Sequence, residues 1–183
     1  MKKPILQKIL MNESEISLTL KRLTHEIIEQ TPDIDGLVLL GIQTRGVYLA
    51  QRIGGLIKTI IRKKIPLGIL DITLYRDDVD SISRQPVVKE TAIPFDITDR
   101  SIILVDDVLF TGRTVRAAID EIMDFGRPRS IKLAVLIDRG GRELPIQPDM
   151  VGKSYPTSRM KEMISVQLKE TDKTDRVVLY KYE

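Results

Sequence analysis

The stretch IILVDDVLFTGRT, residues 102–114, decides the fold prediction, because it combines a buried strand, an acidic pair and the start of a helix. Four aliphatic residues lead directly into Asp106 and Asp107. The turn TGRT, residues 111–114, then opens a helical pattern that runs to Gly126. A short continuous apolar run followed by helical spacing is typical of one strand–turn–helix step in a parallel sheet.

The same alternation of strands and helices continues on both sides of this stretch. Ile16, Leu20, Leu23 and Ile27 recur at helical spacing, and Ser14 is the predicted N-cap. Segment 77–94 is charged and without periodicity, and we interpret it as a long excursion; beyond residue 140 the pattern is strand-like and irregular. The sequence therefore predicts an α/β fold, with a mostly parallel central sheet and helices on both faces. The predicted helices are 15–30, 45–63 and 114–126, and the predicted strands are 36–42, 65–76, 101–107 and 130–138.

Composition narrows the class of protein. A chain of 183 residues with 42% hydrophobic and 30% charged residues is typical of one globular domain. Apolar runs are strand-sized, the N-terminus lacks a secretory signal, and cysteine is absent, so we expect a cytoplasmic protein without a membrane partner. A net charge of +3 permits an anionic ligand or RNA, but on charge alone we favour an ordinary, mildly basic surface. The absence of Trp disfavours a base-stacking platform.

The residues after the strand have the chemistry of a phosphorylated sugar site. In parallel sheets, ligands bind beyond the carboxyl ends of the strands. The TGRT turn offers threonine hydroxyls, a flexible Gly112 and the N–H groups of a helix start, all of which favour an anion. Asp106 and Asp107 would repel that anion and instead suit sugar hydroxyls or a divalent cation. Aspartates before a helix can also act simply as caps, but the aliphatic run and the TGRT turn favour the ligand site.

A second loop, GIQTRG at residues 41–46, also lies between an apolar strand and a helix. Thr44 and Arg45 offer donors for another anion. Taken by itself, this loop is more simply interpreted as a plain strand-to-helix turn. Together with the TGRT turn, it suggests two phosphate subsites on one ligand.

The stretch 102–114 resembles the phosphoribosyl pyrophosphate (PRPP) motif of the type I phosphoribosyltransferases. Further stretches narrow the resemblance to the bacterial pyrimidine operon regulators that have uracil phosphoribosyltransferase activity. They are LTHEIIE, GIQTRGVYLAQRI, DITLYRDD, VDDVLFTGRTVRAAID, GRPRSIKLAVLIDRGGRELPI and VGKSYPTS, which together span nearly the whole chain.

This resemblance implies a type I phosphoribosyltransferase-like fold, with a single domain over 1–183 and a small irregular β hood at about 138–170. It also implies transfer of phosphoribosyl from PRPP to uracil, which gives UMP and pyrophosphate with Mg²⁺ held mainly by PRPP and no protein metal site. As a regulator, such a protein binds the leader of the pyrimidine operon messenger RNA when UMP is bound and promotes transcription termination. A homodimer or homotetramer is expected.

The resemblance also assigns site residues. Asp106, Asp107 and Arg45 are the implied catalytic residues, with the two aspartates on the ribose hydroxyls. The TGRT turn would hold the 5-phosphate, Thr44 and Arg45 the pyrophosphate, and a mobile loop from Leu74 to about Lys89 would close over PRPP. The implied PRPP-binding residues are Thr44, Arg45, Tyr75, Arg76, Arg84, Asp106, Asp107, Val108, Leu109, Phe110, Thr111, Gly112, Arg113 and Thr114, and the implied uracil-binding residues are Asp138 and Arg139.

The RNA contacts implied by the resemblance are Lys21, Arg22, His25, Arg142 and Lys153. Without the family, a solvated helix face is the interpretation we favour for those on the first helix. The chain departs from the family pattern at Lys21 (often Thr), Gly141 (often His) and Gln147 (usually Arg), and the last two remove possible RNA donors. Two alternatives therefore remain, a uracil phosphoribosyltransferase with a weakened or lost RNA role and a PRPP-sensing regulator without useful turnover.

Overall fold

A five-stranded sheet forms the centre of the protein in the computed structural model, which describes residues 4–72, 91–157 and 162–182. Its strand order is β3-β2-β4-β5-β6 and every pairing is parallel. A three-stranded antiparallel sheet, β1-β8-β7, accompanies it. The elements are β1 (Pro4–Met11), α1 (Glu13–Glu29), β2 (Leu37–Ile42), α2 (Arg45–Ile61), β3 (Leu67–Leu70), β4 (Ser101–Leu109), α3 (Arg113–Phe125), β5 (Ser130–Asp138), β6 (Met150–Ser154), β7 (Glu162–Gln167), α4 (Lys169–Asp172) and β8 (Arg176–Tyr182).

The central strands are apolar on both sides because helices cover both faces of the sheet. On β2, Leu37 and Leu39 pack with α1 and α2, whereas Val38 and Leu40 pack with α3 on the opposite face. Successive side chains of a strand point to opposite faces, so a strand covered on both faces reads as an unbroken apolar run. The prediction of a mostly parallel sheet with helices on both faces is confirmed.

The small sheet shares the core on the α1 and α2 side. Met11 of β1, Val166 of β7 and Val177 of β8 belong to the same buried cluster as Leu39 of the central sheet. The bounds of this sheet differ from the hood expected at about 138–170, because β1 and β8 lie outside that range and β6 inside it pairs with the central sheet. The ends of the chain therefore contribute two of the three strands.

Helix α1 begins earlier than the sequence suggested, because the capping residue is Asn12 and not Ser14. The Asn12 side chain accepts from the Glu15 N–H at 3.0 Å, and the Glu15 carboxylate accepts from the Asn12 N–H at 2.8 Å. This reciprocal capping box satisfies two backbone groups at once. The Ser14 prediction was wrong because a Glu three residues after the Asn outweighs the serine.

Two strands differ from their predicted lengths, and one strand was not predicted. Of the predicted strand 65–76, the described residues 65–72 form a strand over β3 alone, and residues 73–90, which include most of the predicted excursion, lie outside the described residues. Strand β4 continues beyond the acidic pair, since Leu109 still pairs with Asp138. The sequence reasoning missed β1, whose residues alternate poorly.

Ion pairs hold helix α2 against the segment before β8. The Arg52 guanidinium donates to Asp175 at 2.8 Å and to Glu170 at 2.7 Å and 2.9 Å. The Asp175 side chain is only 7% exposed, and it also accepts from the Lys169 N–H. Although burial alone would raise the pKa of Asp175, its hydrogen bonds to Arg52 and Lys169 hold that pKa below the usual carboxyl value.

In the described ranges, no helix is long and apolar enough to cross a membrane.

The lowered pKa of Asp175 makes part of the folding stability depend on pH. Because the folded-state pKa lies below the unfolded value, the ionised pair stabilises the fold above about pH 4 and loses its effect as the pH falls through the folded pKa. We expect Asp175→Asn to lower the free energy of unfolding by about 2 kcal/mol at neutral pH. Urea unfolding between about pH 7 and pH 3 measures the difference in the free energy of unfolding between the variant and wild type. This difference should become smaller as the pH falls. A difference that stays constant over this range would contradict this assignment.

Candidate active site

The residues singled out by the sequence meet at one edge of the central sheet, where the parallel strands end. Strand β4 brings Asp106 and Asp107 there, β2 leads into Thr44 and Arg45, and β5 ends at Asp138. Because parallel strands share their carboxyl edge, these groups form one surface.

The two aspartates are held by their own backbone. One oxygen of Asp106 accepts from the Asp107 N–H at 2.8 Å, and one oxygen of Asp107 accepts from the Val108 N–H at 3.0 Å. Asp106 is buried and Asp107 partly buried. Burial raises the pKa of Asp107, while a hydrogen bond with Asp106 and the positive charge of Arg45 act against the rise. A hydroxyl or a cation that approaches this pair would relieve the cost of burying two neighbouring carboxyl groups.

Gly46 brings the turn QTRG, residues 43–46, directly against the acidic pair. A Cβ atom at position 46 would lie 2.4 Å from the Val105 carbonyl oxygen and 3.2 Å from the Asp106 Cα. Any side chain would therefore push the start of α2 away from β4. The glycine sets the spacing between the QTRG turn and the two carboxylates.

Arg45 is fixed by a partner that the sequence did not reveal. Its guanidinium binds both carboxylate oxygens of Asp172 in α4, at 3.0 Å and 3.2 Å. Burial alone would raise the pKa of Asp172, but hydrogen bonds from Thr171 and Arg45 hold it below the usual value. The two residues lie 127 positions apart, so only the tertiary fold brings them together.

The TGRT turn leads into α3, and the Arg113 N–H at the helix start donates to the Thr111 hydroxyl at 3.3 Å. Gly112 is the N-cap and adopts a left-handed conformation, with φ at 92°, and it has no side chain to cap the helix. The Thr111 carbonyl accepts from the N–H groups of Glu143 and Leu144, which anchors the turn to the following loop. The Arg113 guanidinium binds Glu143 at 2.6 Å. Thus the first turn of α3 keeps N–H groups to offer to an anion, and the Arg113 side chain is engaged elsewhere.

Arg139 packs on Phe110, the residue directly before this turn. The Arg139 guanidinium lies 3.8 Å from the centre of the Phe110 ring and donates to the Thr157 hydroxyl at 2.9 Å. It also donates to the Glu162 carbonyl, and burial lowers its pKa. The Arg139 side chain is therefore already bound to Phe110, Thr157 and Glu162. Because these contacts occupy the guanidinium, a contact of this residue with a base would have to come from its backbone.

The loop after β5 is closed by Arg142. Its guanidinium pairs with Asp138 at 2.8 Å and donates to the carbonyls of Phe110 and Ile146. Its side chain is only 14% exposed. Arg142 thus connects the Asp138 turn to the TGRT region, a structural task that differs from its expected RNA contact.

Gly141, one of the departures from the family pattern, is packed under Phe110. Its φ is 76°, and a Cβ there would lie 2.5 Å from the ring. A histidine at this position would require the loop or the ring to move.

The expected RNA contacts on α1 lie beside β6. Arg22 donates to the Val151 carbonyl at 2.9 Å and to the neighbouring Gly152 carbonyl, and so connects the helix to the strand that carries Lys153. Lys21, His25 and Lys153 are exposed. The structure therefore places these cations on adjoining elements.

Some predicted residues cannot be compared. Tyr75, Arg76 and Arg84 lie outside the described residues. Within the described ranges, no group of three or more acidic or histidine side chains could hold a metal ion.

Comparison with known proteins shows the family of the chain. The family model "Phosphoribosyl transferase domain" matches residues 7–170. The bifunctional protein PyrR of Thermus aquaticus is 55% identical over 174 residues, which cover 95% of this chain and 96% of that protein. The bifunctional protein PyrR of Acetivibrio thermocellus is 56% identical over 170 residues, covering 93% and 92%.

Solved structures show the same fold in more distant proteins. The hypoxanthine phosphoribosyltransferase of Trypanosoma cruzi aligns with a TM-score of 0.72 at 18% identity, covering 97% of this chain and 98% of that one. A hypoxanthine phosphoribosyltransferase from Staphylococcus aureus aligns with a TM-score of 0.69 at 18% identity, covering 94% and 92%. The predicted type I phosphoribosyltransferase fold is confirmed. The chain therefore belongs to the phosphoribosyl transferase domain family and, within it, to the bifunctional PyrR proteins.

Proposed function

We propose that the chain transfers the phosphoribosyl group of PRPP to uracil and, when UMP is bound, binds the leader RNA of the pyrimidine operon to promote termination. The observation that carries the enzymatic part is the contact of Gly46 with Val105 and Asp106. It places the QTRG turn beside the acidic pair that leads into the TGRT turn. One PRPP molecule has the matching groups, a pyrophosphate, vicinal hydroxyls and a 5-phosphate.

Transfer breaks the bond between the ribose anomeric carbon and pyrophosphate, and positive charge develops on the sugar while negative charge develops on the leaving group. The N–H groups at the start of α3 would hold the 5-phosphate, and the Asp106–Asp107 pair would hold the ribose hydroxyls. Arg45 would neutralise the leaving pyrophosphate, since Asp172 already orients its guanidinium.

The acidic pair also fits the Mg²⁺ that would accompany PRPP. Two adjacent, poorly hydrated carboxyl groups, one with a raised pKa, suit a divalent cation or the hydroxyls bound to it. Two carboxylates would leave most of the coordination positions of the ion to other ligands, and we propose that PRPP itself supplies them. When bound, Mg²⁺ supplies charge neutralisation to the pyrophosphate.

The RNA role rests on the surface formed by Lys21, His25 and Lys153, which is exposed and lies on two elements joined by Arg22. Such cations can contact phosphates along one strand. The engaged guanidinium of Arg142 and the tightly packed Gly141 favour a second candidate, a uracil phosphoribosyltransferase with a weakened RNA role.

We also expect a homodimer or homotetramer. Ile5, Leu6 and Ile9 of the edge strand β1 are each about half exposed, at 50%, 48% and 50%, and a second copy would cover this apolar area. Sedimentation velocity measures the state, and a monomer at micromolar concentration would contradict the expectation.

We expect Asp107→Asn and Arg45→Ala each to lower kcat/KM for UMP formation by at least about 100-fold. The first removes a negative charge from the ribose side, and the second removes the cation that faces the leaving group. The assay is labelled uracil with PRPP and Mg²⁺, combined with thermal unfolding to check the fold.

Arg116→Ala is the matched control, because its side chain is 51% exposed and forms a surface ion pair with Asp120 one turn further along α3. It should retain wild-type kcat/KM. Wild-type values for Asp107→Asn or Arg45→Ala would show the site assignment to be wrong. PRPP binding by wild type without any UMP formed would favour the PRPP sensor.

For the RNA role, we expect a labelled pyrimidine leader RNA to shift in a gel at moderate salt only when UMP is present. Lys21→Ala should weaken the complex and reduce the slope of log affinity against log salt by about one. Lys58→Ala, which removes an exposed lysine from α2, is the control and should behave as wild type. No UMP-dependent shift of the wild-type protein would support the enzyme with a weakened RNA role.

A further inference from the structure

Glu121 is a buried carboxyl group that the proposed mechanism does not use. It lies in α3 with only 3% of its surface exposed. One of its oxygens accepts a hydrogen bond from the Thr91 hydroxyl, and the other has no hydrogen-bond partner among the described residues. A half-satisfied buried carboxyl group destabilises a fold, and an apolar residue would fill the same space at lower cost. Its presence therefore points to a task other than stability.

A continuous series of hydrogen bonds leads from Glu121 to the QTRG turn. The Thr91 hydroxyl, which donates to Glu121, accepts from the Asp71 N–H at 2.9 Å. Asp71 directly follows β3, and the Leu70 carbonyl before it accepts from the Gln43 N–H at 2.8 Å. Gln43 opens the turn that carries Arg45.

The same helix begins at the TGRT turn, eight residues before Glu121. A rigid helix thus connects the proposed 5-phosphate turn to Glu121, and the Thr91 and Asp71 bonds connect Glu121 to the proposed pyrophosphate turn. The reciprocal bonds between Ile69 and Ala92, both 2.9 Å, fix Thr91 beside the end of β3. A change at Glu121 would therefore act on the distance between the two anion turns.

The surroundings of Glu121 raise its pKa. Burial raises it most, the hydrogen bond from Thr91 lowers it, and the negative charges of Asp71, directly after β3, and Asp124, on α3, raise it. A carboxyl oxygen accepts from Thr91 in either protonation state, so the amide oxygen of glutamine can reproduce the contact whereas leucine cannot.

We propose that Glu121 is a positioning residue of the PRPP site, which acts through Thr91 and Asp71 to hold the QTRG turn at its spacing from the TGRT turn. The proposal rests on the proposed function, since it takes these two turns as the subsites for the pyrophosphate and the 5-phosphate of PRPP. If Glu121 had a purely structural role, its replacement would change the free energy of unfolding but not the affinity for PRPP.

The test compares variants at both ends of the Thr91–Glu121 bond. Glu121→Leu and Thr91→Val remove it, whereas Glu121→Gln and Thr91→Ser retain it. Asp120→Asn is the matched control, because it removes the neighbouring carboxylate of α3, which is 46% exposed and pairs with Arg116. For each, we measure the Kd for PRPP with Mg²⁺ by calorimetry, kcat and KM for UMP formation, and the free energy of unfolding.

We expect Glu121→Leu and Thr91→Val to raise the Kd and KM for PRPP by about 3- to 10-fold, the effect of one hydrogen bond, with kcat changed much less. Glu121→Leu should unfold no more easily than wild type, because it removes a buried carboxyl group. The double variant should bind PRPP no more weakly than the weaker single variant, since both changes break one connection. The bond-retaining variants and Asp120→Asn should match wild type.

Wild-type PRPP affinity in a folded Glu121→Leu variant would overturn the proposal. If Thr91→Val does not fold, the comparison of Glu121→Leu with Glu121→Gln decides by the same measurements. A wild-type protein that binds no PRPP would instead overturn the proposed function, so the two failures are distinguishable.

Discussion

The structure depends on the close contact between two backbone segments, the start of α2 and the end of β4. Gly46 lies so near Val105 and Asp106 that a methyl group at its position would overlap the Val105 carbonyl. This contact puts two strand-to-helix turns side by side at the carboxyl edge of the sheet. The proposed phosphate-binding groups on one turn and the proposed hydroxyl-binding carboxylates on the other can then act on a single ligand.

Charge is arranged around that contact so that each buried group has a compensating partner. Arg45 offsets the burial of Asp107, and Asp172 in turn orients Arg45. On the other side, Arg139 lies on Phe110 and is held by Thr157. Side chains fixed in this way lose little freedom when a ligand binds, which favours catalysis by positioning and electrostatics.

The strand–turn–helix over 102–114 could be predicted from the sequence because its signals are local: an apolar run, an acidic pair and a glycine turn. The residues that support the site could not. Asp172 stands in an ordinary charged stretch, Glu121 reads as an exposed helix position, and Arg139 was expected to bind uracil, not to be held by Phe110 and Thr157. Each takes its role from partners distant in the sequence, and sequence periodicity contains no information on such contacts.

The measurement that tests the account most directly is the affinity of Gly46→Ala for PRPP in the presence of Mg²⁺, compared with that of wild type. The added methyl group must separate α2 from β4 at the acidic pair. The account predicts at least about a tenfold loss of PRPP affinity, with the helical content unchanged. Wild-type affinity in a folded Gly46→Ala variant would contradict the claim that this contact builds the site.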